Sequence, residues 1–335
     1  MKKILLTVSV AISTGVLFAQ SQRLVLVEEA TQASCGPCAS VNPSFNSLLV
    51  TNASKVASIK YQSWWPGTDP MNTQNPTEIK TRIQYYGIDS YGVPDGVIDG
   101  KDVQYPGNIT QSTINTAYAV PSHFDMKLYH WFNAANDSIF IMCNVTCTQA
   151  NTMTTPKLQV AMIEKTITFT SAPGTNGEKV FEHVMTKMYP DGNGSTIATA
   201  WTLGQTQTYT FKGKIPTYIY KKSEIATVAW IQDNSNKNVK QAAYNSVLLN
   251  PTGFKDIISN NSLNISPNPN AGLFTANFFT QTNDNYTVKI TNTLGQIVYE
   301  EALNNFNGSY SKQIDISNFG KGIYVISVHN YPKVS

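Results

Sequence analysis

The sequence predicts a multidomain chain, α/β at its N-terminal end and all-β beyond it. Three observations carry that expectation. Over residues 21–121, apolar runs of strand length alternate with helix-like segments, as they do when helices pack on a sheet. Over 122–250, short runs of alternating polarity follow one another, divided by turn residues at 134–137, 191–194 and 233–237; this is the pattern of an antiparallel sandwich. A polar linker at 251–262 then sets off a final segment, 263–335. A chain of 335 residues is longer than one core usually holds, which agrees with several domains.

The elements follow in order. Lys2 and Lys3 precede an apolar run over 4–18 and the small or polar Ala19, Gln20 and Ser21, so residues 1–20 are expected to be a cleavable secretory signal. The run is shorter than the ~20 residues a spanning helix needs, and no later stretch is expected to span a membrane. No cysteine follows the run, so a lipid anchor is not expected. Residues 23–29 read as a strand buried on both faces, and a helix over 35–50 follows with Pro43 inside it. A second strand covers 56–62, and 63–75 reads as a loop rich in turn residues. A helix covers 76–86, with Pro76 near its start and Gly87 as its stop. After the turn at 91–94 come short strands at 96–99 and 102–105 and a last helix at 109–120. The second domain reads as strands at 124–132, 138–148, 157–168, 206–212, 224–232 and 239–247. Charged residues are only 13% of the chain, the net charge is +3, and no Lys/Arg cluster stands out, so nucleic acid is not an expected partner.

The chain has four cysteines, Cys35, Cys38, Cys143 and Cys147. The last two fall on one face of a predicted strand, where four residues span roughly 13 Å; a disulfide needs Cα atoms within ~7 Å, so both are expected to be buried free thiols. The pair at 35–38 fits a zinc half-site, a redox centre or a staple. For zinc, His123, His130, His183 and His329 lack ligand spacing around a second cysteine pair. As a redox centre, Cys35 sits at a predicted helix N-terminus, where free N–H groups lower a thiol pKa from its usual ~8.5. Residues 191–195 alternate oxygen ligands but lack a downstream bidentate Glu, so a plain turn is expected. His183, beside Glu182, reads as a hydrogen-bonded histidine of the sandwich.

Cys35-Gly36-Pro37-Cys38, Pro43 eight residues on, and Val93-Pro94 ahead of the third strand resemble the thioredoxin superfamily. The resemblance implies a thioredoxin-like domain in which Cys35 attacks a substrate disulfide and Cys38 resolves it. It makes Pro94 a cis-proline that docks substrate main chain together with Val93. A buried acidic residue before the redox helix would accept the proton; Glu29 has the matching distance and Glu28 is its neighbour, while the other reading leaves both as surface carboxylates. Trp64 and Trp65 lie in an insertion and line a substrate groove or pack their loop. The chain departs from the family at Ser34, where a Trp is usual, and at Asp95, where Thr is common.

Phe181-Glu182-His183-Val184 and Val228-Ala229-Trp230-Ile231-Gln232-Asp233 resemble the outer membrane protein 28-related family, which joins a thioredoxin-like domain to a β-domain. The motifs at 265–274, 294–298 and 320–326 resemble the type A C-terminal sorting domain of the type IX secretion system, a small β-sandwich. That family usually closes with one more basic strand, whereas this chain stops at Lys333-Val334-Ser335, so a shortened C-terminus is expected. These resemblances imply a secreted or outer-membrane-associated protein of a Gram-negative bacterium whose partner is the type IX machinery. Two functions are expected: a thiol-disulfide oxidoreductase acting on protein disulfides and thiols without a cofactor, or a surface binding or adhesion protein in which the cysteine pair is a static disulfide.

Overall fold

The structure is a computed structural model that describes residues 20–248, 263–268, 270–292 and 296–331. The expected signal segment, the linker at 251–262 and the last four residues lie outside the described residues. The chain divides into two compact units, Met1–Leu248 and Leu249–Ser335.

The first part of unit one contains β1 (Val25–Thr31), α1 (Gly36–Thr51), β2 (Val56–Gln62), α2 (Pro70–Gln74), α3 (Pro76–Tyr86), β3 (Asp95–Ile98), β4 (Val103–Gln104) and α4 (Gln111–Tyr118). Its remainder is all strand: β5 (Phe124–Phe132), β6 (Ser138–Cys147), β7 (Asn151–Thr152), β8 (Pro156–Thr168), β9 (Val180–Tyr189), β10 (Ser195–Thr196), β11 (Ala200–Trp201), β12 (Thr206–Lys214), β13 (Ile225–Asp233) and β14 (Val239–Asn245), apart from one short 3-10 turn at Lys222–Glu224.

The expected fold class, a thioredoxin-like α/β domain followed by a separate antiparallel sandwich, is corrected by the strand pairing. A single nine-stranded sheet runs β14-β13-β8-β9-β2-β1-β3-β4, with β10 on β8. Strands from beyond residue 122 therefore extend the sheet begun by β1 and β2, and unit one is a mostly β structure built on one mixed sheet. The joining strand is β9, which pairs antiparallel with β8 and meets β2 at Lys60 and Val184. Its sequence, VFEHVMTKMY, has neither a continuous apolar run nor strict alternation, so no periodicity marks it as a strand, although its Phe181–Val184 motif carries a family resemblance.

Side-chain alternation along each strand sorts the core into layers. One face of the long sheet carries a continuous cluster from Leu26 and Ile59 through Ala161 and Met185 to Val228 and Trp230, covered by Ile79, Ile83 and Tyr86 of α3. The opposite face is divided. At the β1 end, Val25, Val27 and Ile98 pack against Phe45 and Leu49 of α1 and Ile114 of α4. At the β13 end, Leu158, Val160 and Ile231 pack against the three-stranded sheet β12-β6-β5 through Phe124, Ile141 and Val145. Cys143 and Cys147 are free and buried in that core, and burial pushes the Cys143 thiol up to about 12.

The second unit is one antiparallel sheet of β15 (Asn264–Ser266), β16 (Leu273–Asn292), β17 (Ile297–Asp315) and β18 (Tyr324–Tyr331), with β15 and β18 both paired to β16. The register of β16 on β17 shifts between Thr280 and Tyr286. Such breaks bend a long hairpin. Phe274 and Phe278 from one half thereby share a core with Val288 and Ile290 from the other.

Candidate functional site

β1 delivers the chain to the cysteine pair. All seven of its residues are buried, including two consecutive carboxylates, which alternation sends to opposite faces. Glu28 faces α3. It accepts hydrogen bonds from Arg82 at 2.8 Å, from Tyr61 at 2.7 Å and from the Tyr86 hydroxyl. Arg82 also donates to Gln232 of β13 at 3.2 Å and lies over the rings of Tyr85, Tyr86 and Trp230. Burial, and after it the Glu28 charge, hold the Tyr61 and Tyr86 hydroxyls protonated, well above the usual phenol range. Glu29 faces α1. Its charge partner is Lys60 of β2 at 2.6 Å, and both side chains are buried. Burial raises the Glu29 pKa, and Lys60 offsets only part of that rise.

Beyond Thr31 the chain turns through 32–34 into α1. Cys35 is the N-cap, and its sulfur accepts the Cys38 N–H at 3.1 Å, satisfying one of the free donors of the first turn. Pro37 sits in that first turn, where its missing N–H costs nothing. Cys35 and Cys38 are joined in a disulfide. The Cys35 sulfur lies 3.5 Å from the Val93 carbonyl oxygen, and the Val93–Pro94 peptide is cis. The structure therefore brings Cys35, Cys38 and Val93-Pro94 together, with Glu29 on the preceding strand. Trp64 and Trp65 belong to a neighbouring loop. They contact each other edge to face; Trp64 is exposed beside Lys80, and Trp65 packs on the α3-side core.

Two segments hold the residues that lead into the pair. The loop after β2 holds them from one side: Asp69 accepts the Ala33 N–H at 2.8 Å, and Ser34 donates to Thr68 O at 2.9 Å. The β8–β9 connection, residues 171–178, holds them from the other. The Asn176 N–H donates to Ala33 O at 3.2 Å, and its side-chain amide donates to the carbonyls of Gln32 and Cys35, each at 3.2 Å. The Thr175 N–H donates to Ser34 Oγ at 3.1 Å. Glu178 accepts from Asn176 at 2.6 Å and from Asn42 of α1 at 2.8 Å, tying the segment to the helix. Gly174 passes so close that a Cβ there would stand 2.2 Å from Ala33 O. Cys35 is 1% exposed and Cys38 0%, while Gly36 and Pro37 remain exposed. Sequence reading missed this hold because its partners lie some 140 positions apart in the chain. The Gly-Thr-Asn-Gly run at 174–177 reads only as a turn.

The other sequence candidates are placed elsewhere. His183 has φ +55°, its Nδ1 has no hydrogen-bond partner among the described residues, and burial lowers its pKa to about 4. It is therefore not the satisfied histidine the sequence suggests. Residues 191–194 close a turn, with the Gly194 N–H bonded to Asp191 O at 3.1 Å.

Comparison with known proteins adds the following. Residues 264–335 match the secretion system C-terminal sorting domain. No curated protein matches the sequence. Among solved structures, HBP35 of Porphyromonas gingivalis is similar over 93% of this chain and 99% of its own, with 13% identity and a TM-score of 0.52, which is a likeness of fold. A protein of Agrobacterium tumefaciens aligns over 69% of this chain and 97% of its own at 14% identity and a TM-score of 0.45. A domain of the outer membrane lipoprotein Omp28 from Porphyromonas gingivalis aligns over 38% of this chain and 88% of its own at 12% identity; its TM-score of 0.24 is too low to argue from. The sorting domain makes the protein cargo of the type IX secretion system, exported to the cell surface. No helix among the described residues is long and apolar enough to cross a membrane.

Proposed function

We propose that this is a surface-displayed binding or adhesion protein in which the Cys35–Cys38 pair is a structural disulfide. One observation carries the reading: the pair is buried, at 1% and 0% exposure, and two segments hydrogen-bond the residues leading into it. A catalytic thiol has to meet the sulfur of its substrate in line, and reactive cysteines sit where they are partly exposed. Export to an oxidising exterior, which the sorting domain supports, keeps such a bond formed without a dedicated partner.

A second reading, a thiol-disulfide oxidoreductase acting on protein disulfides and thiols, draws on a different observation. Cys35 caps a helix N-terminus beside the Val93 carbonyl, with Gly36 and Pro37 open to solvent. In that reading Cys35 is the attacking thiolate, Cys38 resolves the mixed disulfide, and Val93 and Pro94 dock the substrate main chain. Glu29 accepts the proton, and Trp64 and Trp65 line the approach. An insulin-reduction assay with dithiothreitol as electron source separates the two. The structural reading expects the wild-type rate to equal that of Cys35→Ser; turnover above that control establishes the enzyme.

A further inference from the structure

We infer that residues 171–178 form a strap that gates one side of the disulfide, so that chemical access to Cys35 from that side depends on local release of this segment. The inference rests on the closed, structural disulfide of the proposed function and says how that state is kept. Three features carry it. The strap is tethered at both ends by long strands, β8 and β9, so it can lift without the sheet coming apart. None of residues 171–178 is buried; the hold on the site is made of hydrogen bonds, without an apolar anchor in the core. Contacts of that kind open locally at far lower cost than core strands do. The hold is also aimed at the site: its bonds end on Gln32, Ala33, Ser34 and Cys35, the four residues that lead into the disulfide, and on Asn42 of the same helix.

With the strap lifted, a dithiol reacts in balanced steps. Its thiolate attacks the Cys35 sulfur and forms a mixed disulfide. The Cys35–Cys38 bond breaks, and its electron pair goes to the Cys38 sulfur, which takes up a proton. The second thiol of the reagent then displaces the Cys35 sulfur, which is protonated in turn. The reagent leaves as its own disulfide, having supplied both electrons. With the strap down, the first attack has no approach from the strap side.

The test measures the rate at which dithiothreitol reduces Cys35–Cys38 in the folded full chain, quenched by alkylation and read by mass. Asn176→Ala removes the bonds to Gln32 and Cys35. Gly174→Ala puts a methyl 2.2 Å from Ala33 O, a clash that only movement of the strap or of Ala33 relieves. Thr208→Ala, on exposed β12, is the control. Both strap variants are expected to react about tenfold faster than wild type, Asn176→Ala through the loss of two hydrogen bonds and Gly174→Ala through the clash, in a local opening equilibrium, with the control unchanged. Rates for both variants within about twofold of wild type overturn the inference. So does an acceleration no larger than the measured loss of global stability predicts, because reduction then proceeds through the unfolded chain. The ratio of rates reports on the strap whatever wild-type insulin turnover shows, so failure of the gate and failure of the structural reading are told apart.

Discussion

The two faces of β1 hold neighbouring carboxylates in opposite conditions. Glu28 is enclosed by Arg82, Tyr61 and Tyr86, and through Arg82 and Gln232 the enclosure reaches β13, from the later part of the chain. Glu29 leans on Lys60, and neither of its oxygens makes a well-aligned hydrogen bond. A buried charge whose acceptors are all engaged fixes the geometry around it. A buried carboxyl with a single partner has an alternative, which is to take up a proton. The Glu28 side therefore acts as the clamp that joins the two halves of the long sheet. The Glu29 side, shared with α1 and the disulfide, is the electrostatically adjustable one.

The largest effect is expected at Arg82. Arg82→Met keeps the volume but strands Glu28, and urea denaturation should show a loss of about 3–5 kcal/mol. Lys60→Met should cost less, about 1–3 kcal/mol, because Glu29 can protonate once its cation is gone. Equal losses for the two variants would remove the distinction between the faces. Tyr61→Phe, which deletes one of the bonds around Glu28, should cost about 1 kcal/mol in the same measurement.

The smallest effect concerns pH. Burial places the Glu29 pKa above its ordinary 4.5, so the folded chain holds this proton to higher pH than the unfolded chain does. Its contribution to stability is complete below 4.5 and is lost as the pH rises through the folded value. Glu29→Gln should flatten the fall in urea midpoint over that window. An unchanged profile would assign the slope to other groups.

The sequence made the local elements legible where one signal dominated. The helix over 76–86, bracketed by Pro76 and Gly87, forms with those bounds, and the 124–132 strand does as well. Buried β1 was readable from its apolar run. α2 was hidden in a stretch read as loop, because its helix is a five-residue turn started by the Asp69 cap and Pro70. The architecture was less legible. A free-standing first domain followed from β1, α1 and the cysteine motif, but the sheet is completed by β9, whose polar side chains meet α1 and α3 rather than solvent alone: Glu178, just before it, binds Asn42, and Lys187 pairs with Glu78. At the site, the residues of Cys35-Gly36-Pro37-Cys38 and of Val93-Pro94 form two short local motifs and could be named from the sequence. Lys60, Arg82 and the strap act from distant positions, and no local pattern of charge or hydropathy marks them.

The Cys35–Cys38 disulfide is proposed above as a buried structural bond. Its most direct test is the equilibrium of wild-type Cys35–Cys38 against glutathione redox buffers, with the reduced fraction counted by alkylation. A structural bond is expected to stay oxidised in buffers as reducing as a cytosolic glutathione pool, with a potential below about −300 mV, as structural disulfides have. A pair that titrates near the roughly −270 mV to −120 mV range of thiol-disulfide oxidoreductases would contradict it.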